Sequence, residues 1–144
     1  MLQQLYDEHR ELYRLGDALI EAAAANPPRI AAIVEARRTL SQAVLRHMAN
    51  EARMALAPLS ASSDPADQAI ARRYTTDLLA MRQESSGHIA QWTTREIERD
   101  PAGYLAGTQA LLKTMAARGE WEEAEFLPAA ARCVGRAGML RRAG

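Results

Sequence analysis

Residues 29–58, RIAAIVEARRTLSQAVLRHMANEARMALAP, carry the signal that decides the fold. Ile33, Val34, Leu40, Val44, His47, Met48, Glu51, Met54 and Ala55 recur at helical spacing and trace one face of a long helix. Two polar residues interrupt that apolar face. His47 and Glu51 are four residues apart, so both point to the same side, about one turn from each other. Pro58 and the polar residues 60–64 close the segment.

Three more segments share this period. The first, about 2–24, carries Leu2, Leu5, Tyr6, His9, Leu12, Tyr13, Leu19 and Ile20 on one face, and Asn26-Pro27-Pro28 ends it. Asp64-Pro65 reads as an N-cap followed by proline at the first helical position. The third helix runs from there to about Glu98, with Ile70, Tyr74, Leu78, Met81, Glu84, His88 and Trp92 facing inward. Asp100-Pro101 repeats the start signal, although Gly103 and Gly107 leave the fourth helix two starting points, Pro101 or near Thr108. It carries Leu111, Leu112, Met115, Arg118, Glu122 and Phe126, and Pro128 ends or kinks it. Residues 129–140 read as a short terminal helix outside the rest. Four such helices on short links predict an all-α fold, an antiparallel up-down-up-down four-helix bundle over about 2–128 with a C-terminal tail at 129–144.

Composition agrees with helices and narrows the function. The chain has 144 residues, enough for one domain with a real core. Lys plus Arg equals Asp plus Glu, at 18 each, so the basic surplus of a nucleic-acid binder is missing. Cys133 is the only cysteine, which rules out an intrachain disulfide and fits a reducing cytoplasm. No apolar run approaches the roughly 18 residues of a membrane span, and the N-terminal segment lacks the apolar core of a signal peptide. The sequence therefore predicts a cytoplasmic protein with no membrane partner, and leaves a homodimer open. It contains no glycine-rich phosphate loop and no arrangement for nucleophilic catalysis, so no catalytic residue is assigned.

The three histidines carry the functional signal. His9, His47 and His88 each lie on the apolar stripe of a different helix. Burying three imidazoles costs free energy unless each finds a partner. A histidine and a glutamate one turn apart can ligate a cation, and iron, manganese and zinc all accept such nitrogen and oxygen donors. Counted back from the Pro27-Pro28 turn, His9 lies about as far along its helix as His47 does along the next. Antiparallel packing at about 1.5 Å per residue sets them side by side.

Taken together, these motifs resemble a hemerythrin-like (HHE cation-binding) domain. The resemblance rests on Glu8-His9, on His47-x-x-x-Glu51, on His88, and on Glu122-Glu123-Ala124-Glu125-Phe126-Leu127-Pro128. It implies a non-heme di-iron centre inside the bundle, used for dioxygen binding or for iron or oxygen sensing. By position, the implied metal residues are His9, His47, Glu51, His88 and Glu122. The family's remaining histidine would stand where this chain has Arg118, and arginine does not serve as a metal ligand. Trp92 likewise stands where some members carry a further histidine.

Arg118 admits three readings. The site survives with fewer histidines, with Glu84 the first substitute and Glu123 or Glu125 behind it. Alternatively, the guanidinium replaces the metal and neutralises Glu51 and Glu122, leaving a metal-free bundle that acts as a regulatory or interaction module. In the third reading Arg118 faces solvent. A ferritin-like oxidase ranks last, because it needs carboxylates where His9 and His88 stand.

Overall fold

The computed structural model describes residues 2–144. Among them the chain is helical almost throughout and contains no strand. Helix α1 (Gln3–Ala24) stops just before the Asn26-Pro27-Pro28 turn. Helix α2 (Ile30–Glu51) continues through a π-helical segment (Ala52–Leu56) into the short α3 (Ala57–Ser60). Then come α4 (Pro65–Gln91), the short α5 (Thr94–Arg99) and α6 (Pro101–Trp121). A second π-helical segment (Glu122–Phe126) joins α6 to α7 (Leu127–Ala143).

Local chemistry explains most of these boundaries. Asp64 accepts from the Ala66 N–H at 2.9 Å, and Asp100 accepts from the Gly103 N–H at 2.9 Å. Each cap precedes a proline, whose missing N–H needs no partner in a first turn. The fourth long helix therefore starts at Pro101, the earlier of its two expected positions. The expected third helix is divided. Trp92 leaves the helical conformation, and Thr93 caps a new helix by accepting from the Glu96 N–H at 3.3 Å. The break is stabilised from outside, because Arg37 donates to the Trp92 carbonyl at 2.8 Å.

Pro58 does not itself stop its helix, which closes at Ser60, and Pro128 interrupts the regular α-helix with a wide turn without ending it. Proline removes an N–H and crowds the carbonyl four residues back. Both prolines follow directly on a wide turn. The Ala57 N–H bonds the Ala52 carbonyl, and the Leu127 N–H bonds the Glu122 carbonyl, each five residues back. That wider turn accommodates the ring. As a result α7 begins inside the molecule: Leu127, Ala129, Ala130 and Cys133 are buried, and α7 packs on α3.

Helix α1 packs along α2 and α6, α4 packs on α6 and α3, and α4 reaches α2 through the Tyr74–Glu51 hydrogen bond. The core falls into two clusters. One gathers Leu5, Ala55, Leu59, Tyr74, Phe126 and Leu127, and the other gathers Leu19, Ile33, Leu40, Trp92, Ile97 and Tyr104. Fully burying one such aliphatic side chain stabilises by about 1.5–3 kcal/mol. His9 lies between Leu5 and Leu19 on α1, and His47 and Glu51 lie between Leu40 and Ala55. The polar residues thus occupy the level between the two clusters. Among the described residues no helix is long and apolar enough to cross a membrane.

Candidate metal centre

Four buried side chains converge at that level. His9 comes from α1, His47 and Glu51 from α2, and Glu122 from the first position of the second π-helical segment. One donor atom from each lies within 4.8 Å of all the others. His9 Nε2 is 3.2 Å from Glu122 Oε2 and 3.8 Å from Glu51 Oε1. His47 Nε2 is 3.2 Å from Glu51 Oε1 and 3.9 Å from Glu122 Oε2. The two rings meet nearly edge to face, with centroids 4.7 Å apart.

The outer atoms of the same residues are all occupied. His9 Nδ1 is 2.8 Å from Glu123 Oε1, and His47 Nδ1 is 2.8 Å from Glu8 Oε2. Gln4 and Asn50 both donate to the other oxygen of Glu8, at 2.8 and 2.7 Å. Tyr74 donates its hydroxyl to Glu51 Oε2 at 2.7 Å. Arg118 donates from Nε to Glu122 Oε1 at 2.8 Å and from Nη2 to the Tyr74 carbonyl at 3.2 Å. Its guanidinium lies over the Tyr74 ring, 4.6 Å from the centroid.

This pattern fits a cation. An ionised carboxylate only accepts, so each Nδ1 carries an imidazole hydrogen, and in the neutral ring that leaves Nε2 a lone pair to offer inward. Two neutral imidazoles would turn two nitrogen lone pairs towards two carboxylate oxygens, a donor set that a cation between them satisfies. Glu51 Oε1 is buried, with the two Nε2 atoms at 3.2 and 3.8 Å as its neighbours. A carboxylate behind each ring nitrogen is also the usual support of a metal-ligating histidine.

Without a metal, protons supply the missing positive charge. Burial opposes charging His9, but hydrogen bonds to Glu122, Glu51 and Glu123 outweigh it and raise the pKa to about 9. His47 is likewise pushed up to about 10, with Glu122, Glu51 and Glu8 overcoming burial. Glu51 is held well below the usual carboxylate range: burial opposes this, and His47 and His9 prevail. Burial and the Glu51 charge push the Tyr74 phenol up.

Arg118 is not in solvent, since its side chain is only 8% exposed. Nor does it cover both carboxylates. It takes the outer oxygen of Glu122, Tyr74 takes that of Glu51, and both inner oxygens stay directed at the histidines. His88 and Glu84 lie outside the group. With α6 starting at Pro101, antiparallel packing sets His88 opposite Thr108, and its Nε2 is 3.1 Å from the Thr108 hydroxyl. Tyr74, not His88, reaches the level of Glu122, and fourteen residues of α4 separate the two by about 20 Å. Burial and the Arg37 charge push the His88 imidazole down. Glu84 is exposed. Glu125 accepts from Trp121 Nε1 at 3.0 Å and Glu123 serves His9 from outside, so neither enters the inner set.

The sequence reading did not anticipate Glu8 and Tyr74 as supports. Tyr74 sits on the inner stripe of α4 and reads as packing, and the phenol's partner comes from another helix. Glu8 sits beside His9 in sequence but serves His47, which no within-helix spacing reveals. No family model, curated protein or solved structure matches the chain.

Proposed function

We propose that the protein is a hemerythrin-like antiparallel four-helix bundle that binds one divalent metal ion, iron first, through His9, His47, Glu51 and Glu122. The observation that carries this reading is the convergence of two Nε2 atoms and two carboxylate oxygens, all buried and all within 4.8 Å of one another. Iron, manganese and zinc accept that donor set. Four protein ligands leave iron room for a further small ligand. When bound, iron would supply affinity for dioxygen and a redox couple, the basis for dioxygen binding or for iron or oxygen sensing.

The chain's own residues determine the rest. Glu8 and Glu123 fix the tautomer and the direction of the two imidazoles. Tyr74 and Arg118 hold one oxygen of each carboxylate, so that the other stays turned inward. Arg118 occupies one flank with a fixed positive charge, which favours a single ion over a pair. Apolar side chains, among them Leu12, Val44, Met48 and Leu112, line a cavity of about 250 Å³ beside the four ligands.

A second reading has one observation in its favour. Two protonated histidines and the Arg118–Glu122 pair would neutralise the cluster without metal, leaving a regulatory or interaction module. Metal analysis after anaerobic loading with ferrous iron, followed by optical spectra in air, separates the two. The proposal expects about one iron per chain and an absorption change on exposure to air. Protein that retains no metal after loading would sink the first reading and leave the second.

A further inference from the structure

We infer that the space between α2 and α4 is a binding site for an apolar monocarboxylate, its head at Arg118 beside the metal centre and its tail leading out between the two helices. The inference rests on the metal reading above, because the head group would lie beside the bound ion.

The space comes from the packing. Two cavities of about 250 and about 320 Å³ lie among the long helices, lined by residues of α1, α2, α4 and α6. Leu40, Val44, Met48, Met81, Leu112 and Met115 border both, so the cavities meet along an apolar wall. Volumes of this size hold small organic ligands. At the outer end Leu45 is 61% exposed and Ile89 is 51% exposed, an apolar rim where soluble helices usually present polar side chains.

The head group follows from Arg118, which lines the inner cavity. Its Nε and Nη2 are engaged, but Nη1 is buried with no partner. A buried charged donor left unpaired is costly and calls for an acceptor. Nη1 carries part of a fixed positive charge, so an anionic oxygen group pairs with it more strongly than a neutral acceptor does. A neutral hydrocarbon would leave Nη1 unpaired, and a sugar or nucleotide would face apolar walls. The methionines suit an unbranched tail, since their side chains adapt to irregular shapes.

The test uses protein loaded with zinc, octanoate as probe, octanamide as its neutral counterpart, and the Val44→Phe variant. Val44 borders both cavities and contributes no ligand atom. Zinc content is read by elemental analysis, binding by titration calorimetry, and folding by circular dichroism. The expected result is octanoate binding to the zinc-loaded protein, octanamide at least about tenfold weaker, and loss of octanoate binding in Val44→Phe with zinc retained. Arg118→Met, where it folds, should weaken octanoate by a similar factor. Zinc uptake without octanoate binding, or octanoate binding undiminished in Val44→Phe, overturns this inference and leaves the metal reading standing. Absence of zinc uptake overturns both.

Discussion

His9 and His47 each turn Nδ1 outward to a carboxylate and keep Nε2 for the interior, and this orientation is what makes the four residues a candidate metal centre. Replacing both supports, as Glu8→Gln with Glu123→Gln, should lower metal affinity about 10- to 100-fold without removing a ligand; competition against a chelator of known affinity measures it. Arg118 makes a different prediction. Arg118→Met leaves Glu122 buried without its partner, so urea unfolding of the metal-free protein should show a loss of about 3–5 kcal/mol. Wild-type stability in that variant would mean that water reaches Glu122. The inner four residues were legible because spacing and level are properties of a helix: His47 and Glu51 share a face, and His9 is counted to the same height. The supporting residues were not legible, since each acts across a helix interface. His88 was placed in the site by its stripe and by the family resemblance, and α6, starting at Pro101, sets it opposite Thr108 instead.

At the scale of elements, capping was the clearest text. Asp64-Pro65 begins α4 as expected, and Asp100-Pro101 begins α6 at the earlier of the two starts that the sequence left open. The π-helical segments were not readable, because a proline in a helical pattern usually means an end. Both wide turns adjoin the centre, one directly after Glu51 and one beginning at Glu122. They carry the chain past Pro58 and Pro128, so α3 and α7 can pack together. Asp67 of α4 holds α7 there. It accepts from Ser62 at 2.6 Å, from Arg136 at 2.8 Å and from the Cys133 thiol at 3.3 Å. Asp67→Ala should therefore accelerate amide exchange in the second half of α7 while leaving α1 and α2 protected. Equal acceleration across all helices would show instead that α7 unfolds only with the whole molecule.

For the whole molecule, a polar centre placed between two apolar clusters makes stability depend on what neutralises it. In the metal-free protein both histidines hold protons more tightly folded than unfolded. Their stabilisation is complete below the ordinary histidine pKa of about 6.5. It is lost as the pH rises through about 9 for His9 and about 10 for His47. Thermal melts of metal-free protein at pH 6, 8 and 10 should fall in that order, and a melting temperature that rises over this range would contradict the assigned contacts. Metal binding should run the other way and strengthen with pH, because the ligand nitrogens must first lose those protons. A single metal ion among these four residues is open to anomalous diffraction at the absorption edge of a soaked or co-purified metal. The account predicts one peak bounded by His9 Nε2, His47 Nε2, Glu51 Oε1 and Glu122 Oε2; no peak there, or a peak at His88 instead, would contradict it.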